Sequence, residues 1–196
     1  KTICSGLMAL DYLFEHPDKK VLIITTNALA KKGHASDYGQ FLKDWYEKLP
    51  FQRLGMTERV DIVNNHYAQL SKKSEYGLVI VDEAYIDFGG KSCLSLIDKY
   101  ENLLVVQTFS KSRSMAGMRI GFAIGNEKLI KYMNDVKFSI NSYTMNPVTQ
   151  ICGAKSVEDE AYFSETVKRI INTREKTKTA LKELGFEFPD SMRNFI

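Results

Sequence analysis

Five short apolar runs set the frame of this chain: VLIITT (21–26), RVDIVNN (59–65), GLVIVDEAY (77–85), NLLVVQTFS (102–110) and MRIGFAIG (118–125). They are rich in β-branched residues, and most are continuous rather than alternating, as expected of strands buried on both faces of a sheet. Segments of helical spacing lie around them. Ile3, Leu7, Leu10, Leu13 and Phe14 form one helical stripe over residues 3–15. Ser36 or Asp37 is placed to cap a helix running to about Leu49, with Trp45, Tyr46 and Leu49 on one face. Helical patterns also cover about 126–138, 145–156 and 159–184. Strands alternating with helices predict an α/β fold, a mostly parallel sheet with flanking helices. Ligands in such sheets sit beyond the carboxyl ends of the strands, where Asp82 and Lys111 fall.

Composition narrows the function classes. The apolar share of 44% is ordinary for a globular chain, and a net charge of +3 is too mild to imply nucleic-acid binding by itself. Cys4, Cys93 and Cys152 are odd in number and form no CxxC pair, so they read as thiols of a reducing cytoplasm rather than a disulfide framework or zinc site. His16, His34 and His66 have no carboxylate or cysteine at ligand spacing, so no metal is expected. No run of about 18 apolar residues is present, so no membrane span is expected. The chain opens in mid-pattern at KTICSGLMAL and stops at MRNFI, which reads as a fragment open at both ends.

The densest stretch is QTFSKSRSMAGMRIGF, residues 107–122. A lysine at a strand end, desolvated and near other cations, becomes a nucleophilic amine suited to Schiff-base chemistry. With pyridoxal phosphate such an amine needs a carboxylate for the ring nitrogen, a donor for the phenolic oxygen, and arginine and hydroxyl groups for the phosphate. Asp82 ends its strand, Tyr85 sits three residues on, Thr108 and Ser110 flank Lys111, and Arg119 follows at plus eight. Gly89 and Gly90 suit a turn, and Gly117 and Gly121 suit close backbone approach around the arginine.

The motif Asp-x-x-Tyr, then Thr-x-Ser-Lys, then Arg at plus eight resembles fold-type-I pyridoxal-phosphate aminotransferases, and looks closest to the histidinol-phosphate aminotransferases. The resemblance runs from about residue 77 to the C-terminus. It implies a transaminase in which Lys111 binds the cofactor and shuttles the proton. Asp82 would pair with the pyridinium nitrogen, Tyr85 would bond the phenolic oxygen, and Ser110 and Arg119 would hold the phosphate with Thr108 in support. It further implies an amino acid and a phosphorylated keto compound as substrates, a role in histidine biosynthesis, and a homodimer whose protomers complete each other's sites. Residues 77–145 would be part of the cofactor-binding large domain. FSINSYTMNPVTQ (138–150), with Asn146 or Thr144 near a helix cap, resembles the family's link to a small α+β domain, whose start would be 146–196. There EDEAYFSET is expected to be a solvated face, with Tyr162 and Phe163 packed inward.

Residues 1–76 lack the family's glycine-rich phosphate loop and stacking aromatic. KTICSGLMALDYLFEHPDKKVLIITTNALAKKGHASDYGQFLKDW instead resembles the first motor lobe of Swi/Snf-like superfamily-two helicases, a likeness that extends to about residue 84. In that reading Lys1 would contact the β- and γ-phosphates of ATP, Thr2 would bind magnesium, and Asp82 and Glu83 would coordinate metal and activate water. Nucleic acid is a partner only in this alternative. VIVDEA suits both families, which suggests a composite joined within 77–84, or a non-catalytic remnant.

Overall fold

The computed structural model describes residues 2–25, 53–64 and 76–196. The helix expected between Ser36 and Leu49 lies outside them, as do Trp45, Tyr46, His34, His66 and Lys1. The helices are α1 (Thr2–Glu15), α2 (Glu127–Ile140), α3 (Pro147–Glu158) and α4 (Glu160–Glu183). The strands are β1 (Lys20–Thr25), β2 (Val60–Asn64), β3 (Tyr76–Asp82), β4 (Leu103–Thr108) and β5 (Gly121–Gly125). They form one sheet in the order β2-β1-β3-β4-β5. The pairs β1–β2, β1–β3 and β3–β4 are parallel. On the last strand Gly121 faces the Gln107 carbonyl and Gly125 the Leu103 carbonyl, so β5 runs back along β4. The suggested junction at 77–84 therefore takes in most of β3, which pairs with β1 of the first half and β4 of the second, and runs two residues past it.

The chain divides into two compact units. The first holds residues 1–82, 93–106 and 123–142. Its strands alternate: Val21, Ile23, Leu78, Ile80, Leu104 and Val106 share one core with Met8, Leu13 and Leu129. Val79, Val81, Leu103 and Val105 share another with Leu94 and Ile97. Successive side chains leave opposite faces of a strand, so both faces here are covered, which is why the runs are continuously apolar.

Helix α1 stops where Pro17 removes the helical option from His16. Its Leu13 carbonyl accepts from a distance: the Arg59 guanidinium donates to it at 3.2 Å, and to His16 and Lys19 just past the helix at 2.6 and 3.0 Å. Gly77 is the second residue of β3, beside α1; a Cβ there would stand 2.9 Å from Lys19 Cβ and closer still to the Tyr12 hydroxyl.

The second unit holds residues 83–92, 107–122 and 143–196. Asn146 caps α3 by accepting from the Thr149 amide at 2.8 Å, with Pro147 in the first turn. Asp159 caps α4 from the Tyr162 amide at 3.2 Å. One expectation is corrected here. Tyr162 is 69% exposed, because α4 turns Val167, Arg174 and Lys178 inward instead. Phe163 is half-buried beneath the Arg113 guanidinium.

Candidate active site

Asp82 is the last residue of β3, opposite Val106 of β4, and β4 continues to Thr108. The parallel pairing thus ends the two strands at the same edge, the edge that carries ligands in sheets of this kind. Asp82 belongs to the first unit; Tyr85, Thr108, Ser110, Lys111 and Arg119 belong to the second.

Past Thr108 the chain folds back on itself. The Phe109 amide donates to the Ile120 carbonyl at 3.2 Å, Met115 to Phe109 at 3.1 Å and Ser114 to Lys111 at 3.2 Å. Inside this loop the Thr108 hydroxyl lies 3.1 Å from the Ile120 carbonyl and 2.9 Å from the Ser110 hydroxyl. The carbonyl can only accept, so Thr108 gives its proton there and receives from Ser110. Thr108 also accepts from the Ser110 amide at 3.2 Å. The two hydroxyls are thereby fixed three residues and one residue before the lysine.

Lys111 is half-buried, and its amine lies 5.2 Å from the centroid of the Tyr85 ring. Tyr85 also meets Phe195 edge-on at 5.6 Å. Ser112 next door is 3% exposed and donates to the Asp87 carboxylate at 2.5 Å. The lysine turn and the tyrosine turn are thus bonded beside the ring contact.

Arg119 stands apart from this group. It is exposed, adopts left-handed backbone (φ 58, ψ 34), and donates from Nη1 to the Ala116 carbonyl at 2.9 Å. Gly121 does allow close approach, with a built Cβ 3.2 Å from the Gln107 carbonyl, whereas nothing lies within 4 Å of Gly117. The close contact expected at Gly117 is absent, because its turn faces open space.

Several contributors carried no spacing signal. Glu83 is buried and accepts from Ser92 at 2.7 Å and Gln107 at 2.9 Å. Arg113 lies over the Phe163 ring at 4.0 Å and donates to the Ser156 carbonyl. A cleft of about 370 Å³ opens beside Thr108, lined among others by Asp87, Gln107, Ser112, Arg113 and Phe122; Lys111 is not in its wall.

The donor set suits a phosphorylated aldehyde. The amine is the nucleophile a carbonyl carbon requires, the phenol beside it can donate to an oxygen, and the Ser110 hydroxyl, by turning its proton from Thr108 to a ligand, can join the solvent-facing Arg119 guanidinium as an anion donor. Among the described residues no His/Cys/Asp/Glu cluster could hold a metal ion, and no helix is long and apolar enough to cross a membrane.

Residues 62–196 match the family model of class I and II aminotransferases. The match begins ahead of the resemblance read from the motif. The chain is 59% identical over 120 residues to a histidinol-phosphate aminotransferase of Brachyspira hyodysenteriae, covering 61% of this chain and 34% of the relative. It is 51% identical over 128 residues to one of Lactococcus lactis, covering 65% and 36%. The chain thus spans about a third of the length of the curated relatives it matches. Among solved structures, a putative histidinol-phosphate aminotransferase from Erwinia carotovora aligns over 97% of this chain and 47% of its own, with a TM-score of 0.59 and 19% identity. An aminotransferase from Staphylococcus aureus aligns over 95% and 57%, with a TM-score of 0.60 and 17% identity. These likenesses concern the fold, and they take in the first half of the chain as well as the second. By the family match over residues 62–196, the chain belongs to the class I and II aminotransferases.

Proposed function

We propose that this chain carries the lysine-bearing part of a pyridoxal-phosphate-dependent aminotransferase of histidinol-phosphate type. The observation that carries the reading is the Lys111 amine held against the Tyr85 ring, directly after the Thr108–Ser110 hydroxyl pair. The substrates we infer are an amino acid and a phosphorylated keto compound of imidazole-acetol-phosphate type, in histidine biosynthesis. The support is the naming of relatives at 51–59% identity.

When bound, pyridoxal phosphate supplies an aldehyde carbon that captures amines and a ring that takes up electron density. Lys111 holds that carbon at rest. Once freed, the Lys111 amine would take the proton from the substrate α-carbon as base and deliver it to the cofactor carbon as acid. Asp82 pairs with the ring nitrogen, and Tyr85 donates to the phenolic oxygen. Ser110 and Arg119 hold the phosphate, with Thr108 fixing Ser110 from behind. We assign residues 77–145 to the cofactor domain and 146–196 to the start of the small domain. The working form is a cytoplasmic homodimer, in line with the family.

The test is a trap. The chain is mixed with pyridoxal phosphate, reduced with borohydride, digested and read by mass spectrometry. Pyridoxyl label concentrated on Lys111, and gone from that position in Lys111→Ala, is the expected result. Label spread over surface lysines, or none, overturns the reading.

A further inference from the structure

Arg174 lies on α4, far in sequence from Lys111, and is only 9% exposed. A buried guanidinium is costly unless its N–H groups are used. Here Nε donates to Glu175 at 2.7 Å, while Nη1 donates to two backbone carbonyls, Phe88 and Arg193, each at 2.9 Å. The two carbonyls belong to two segments that touch the same ring. Phe88 closes the short 3-10 turn that begins just after Tyr85, its own side chain is fully buried, and Gly89 leaves the turn at φ 118. Arg193 lies 5.9 Å from the Tyr85 centroid, and Phe195 meets that ring edge-on. One turn further along α4, Lys178 pairs with Glu175 and with Asp190, fastening the same terminal segment.

We propose that Arg174 is a positioning residue: by fixing the Phe88 carbonyl behind Tyr85 and the Arg193 carbonyl beside it, Arg174 holds the Tyr85 ring over the Lys111 amine. Its importance for catalysis rests on the reading of Lys111 given above, but the contact itself does not. A phenol free to swing away would leave the amine open to solvent and its hydrogen bond to the cofactor unformed.

The experiment uses the full 196-residue chain without cofactor. Acetic anhydride is applied at one pH, and acetylation of Lys111 is read by mass spectrometry against the exposed Lys168 and Lys182 of α4 in the same sample. Arg174→Gln and Tyr85→Ala are each expected to raise relative labelling of Lys111 about fivefold, and the double variant no further than Tyr85→Ala alone. An equal rise from Arg174→Gln in the Tyr85→Ala background would mean general loosening and overturn the proposal, as would no rise at all. If Arg174→Gln loses its native circular dichroism, Arg174→Lys takes its place in the same cycle. Should that also unfold, Arg174 serves the fold rather than the ring, and the proposal falls. A wild-type chain that takes no pyridoxal label at Lys111 would defeat the proposed function and leave this cycle readable.

Discussion

The Ser112 hydroxyl donates to the Asp87 carboxylate at 2.5 Å, joining the turn that carries Lys111 to the turn that carries Tyr85. Ser112 is nearly sealed from solvent while Asp87 is exposed, so the serine has no water to fall back on. Ser112→Ala is expected to cost about 1 kcal/mol, the net value of one such bond with a carboxylate that water can still reach. Urea denaturation measures it. Asp87→Ala should cost more, because it strands the buried hydroxyl. The opposite ranking would mean that the bond is not what holds the two turns.

Arg119 offers a case in which stability and binding part company. Its left-handed backbone costs a non-glycine residue about 1–2 kcal/mol. Arg119→Gly should therefore leave the fold as stable as before, or more so by up to about 1 kcal/mol. If the guanidinium holds the cofactor phosphate, the same change should weaken pyridoxal-phosphate binding by about 10- to 100-fold, the loss of a hydrogen bond to a charged group. Thermal melting and an absorbance titration separate the two effects. Unchanged affinity in Arg119→Gly would remove the arginine from the phosphate site.

The sheet was legible because both its faces are covered, which writes the strands as uninterrupted apolar runs. The catalytic candidates were legible because Asp82, Tyr85 and Lys111 fall at the ends of those runs. Long-range polar contacts left no such mark. Arg174 serves carbonyls 86 and 19 residues away, and a backbone carbonyl has no letter in the sequence. The same reason covers Tyr162, expected inward and found exposed. Arg174 and Lys178 count as polar in any periodicity, so their inward face leaves no apolar stripe to read. Glu83, set beside Asp82 in the motor-lobe reading, accepts from Ser92 and Gln107, and neither partner carries a spacing signal.

Gly77 marks a steric limit on the first unit. Alanine there would place Cβ within 2.9 Å of Lys19 Cβ, an atom next to the backbone that cannot swing aside, and closer still to the Tyr12 hydroxyl. Gly77→Ala is expected to destabilise by about 1–3 kcal/mol, the usual cost of overpacking a filled site. Removing the hydroxyl in Tyr12→Phe should recover part of that loss, since it relieves one of the two clashes. Chemical denaturation of the pair of variants checks both statements; no recovery would place the whole cost at Lys19.

Tyr132 of α2 donates its phenol to the Glu15 carboxylate at the end of α1, and that bond, with partial burial added, pushes the phenol up to about 12 from its ordinary 10.0. Only the neutral phenol can donate, and an ionised one would face the carboxylate as a like charge. Because the folded value is the raised one, the bond stabilises the α1–α2 contact in full below about pH 10. That contribution is lost as pH rises through about 12. An ultraviolet titration of tyrosinate absorbance in the native chain should show a late step near 12 that disappears in Tyr132→Phe. In Glu15→Gln the step should move down, since the charge that opposes ionisation is gone while the ring stays where it was. A late step that survives in Tyr132→Phe would belong to another tyrosine, and the Glu15 bond would then have no hold on alkaline stability.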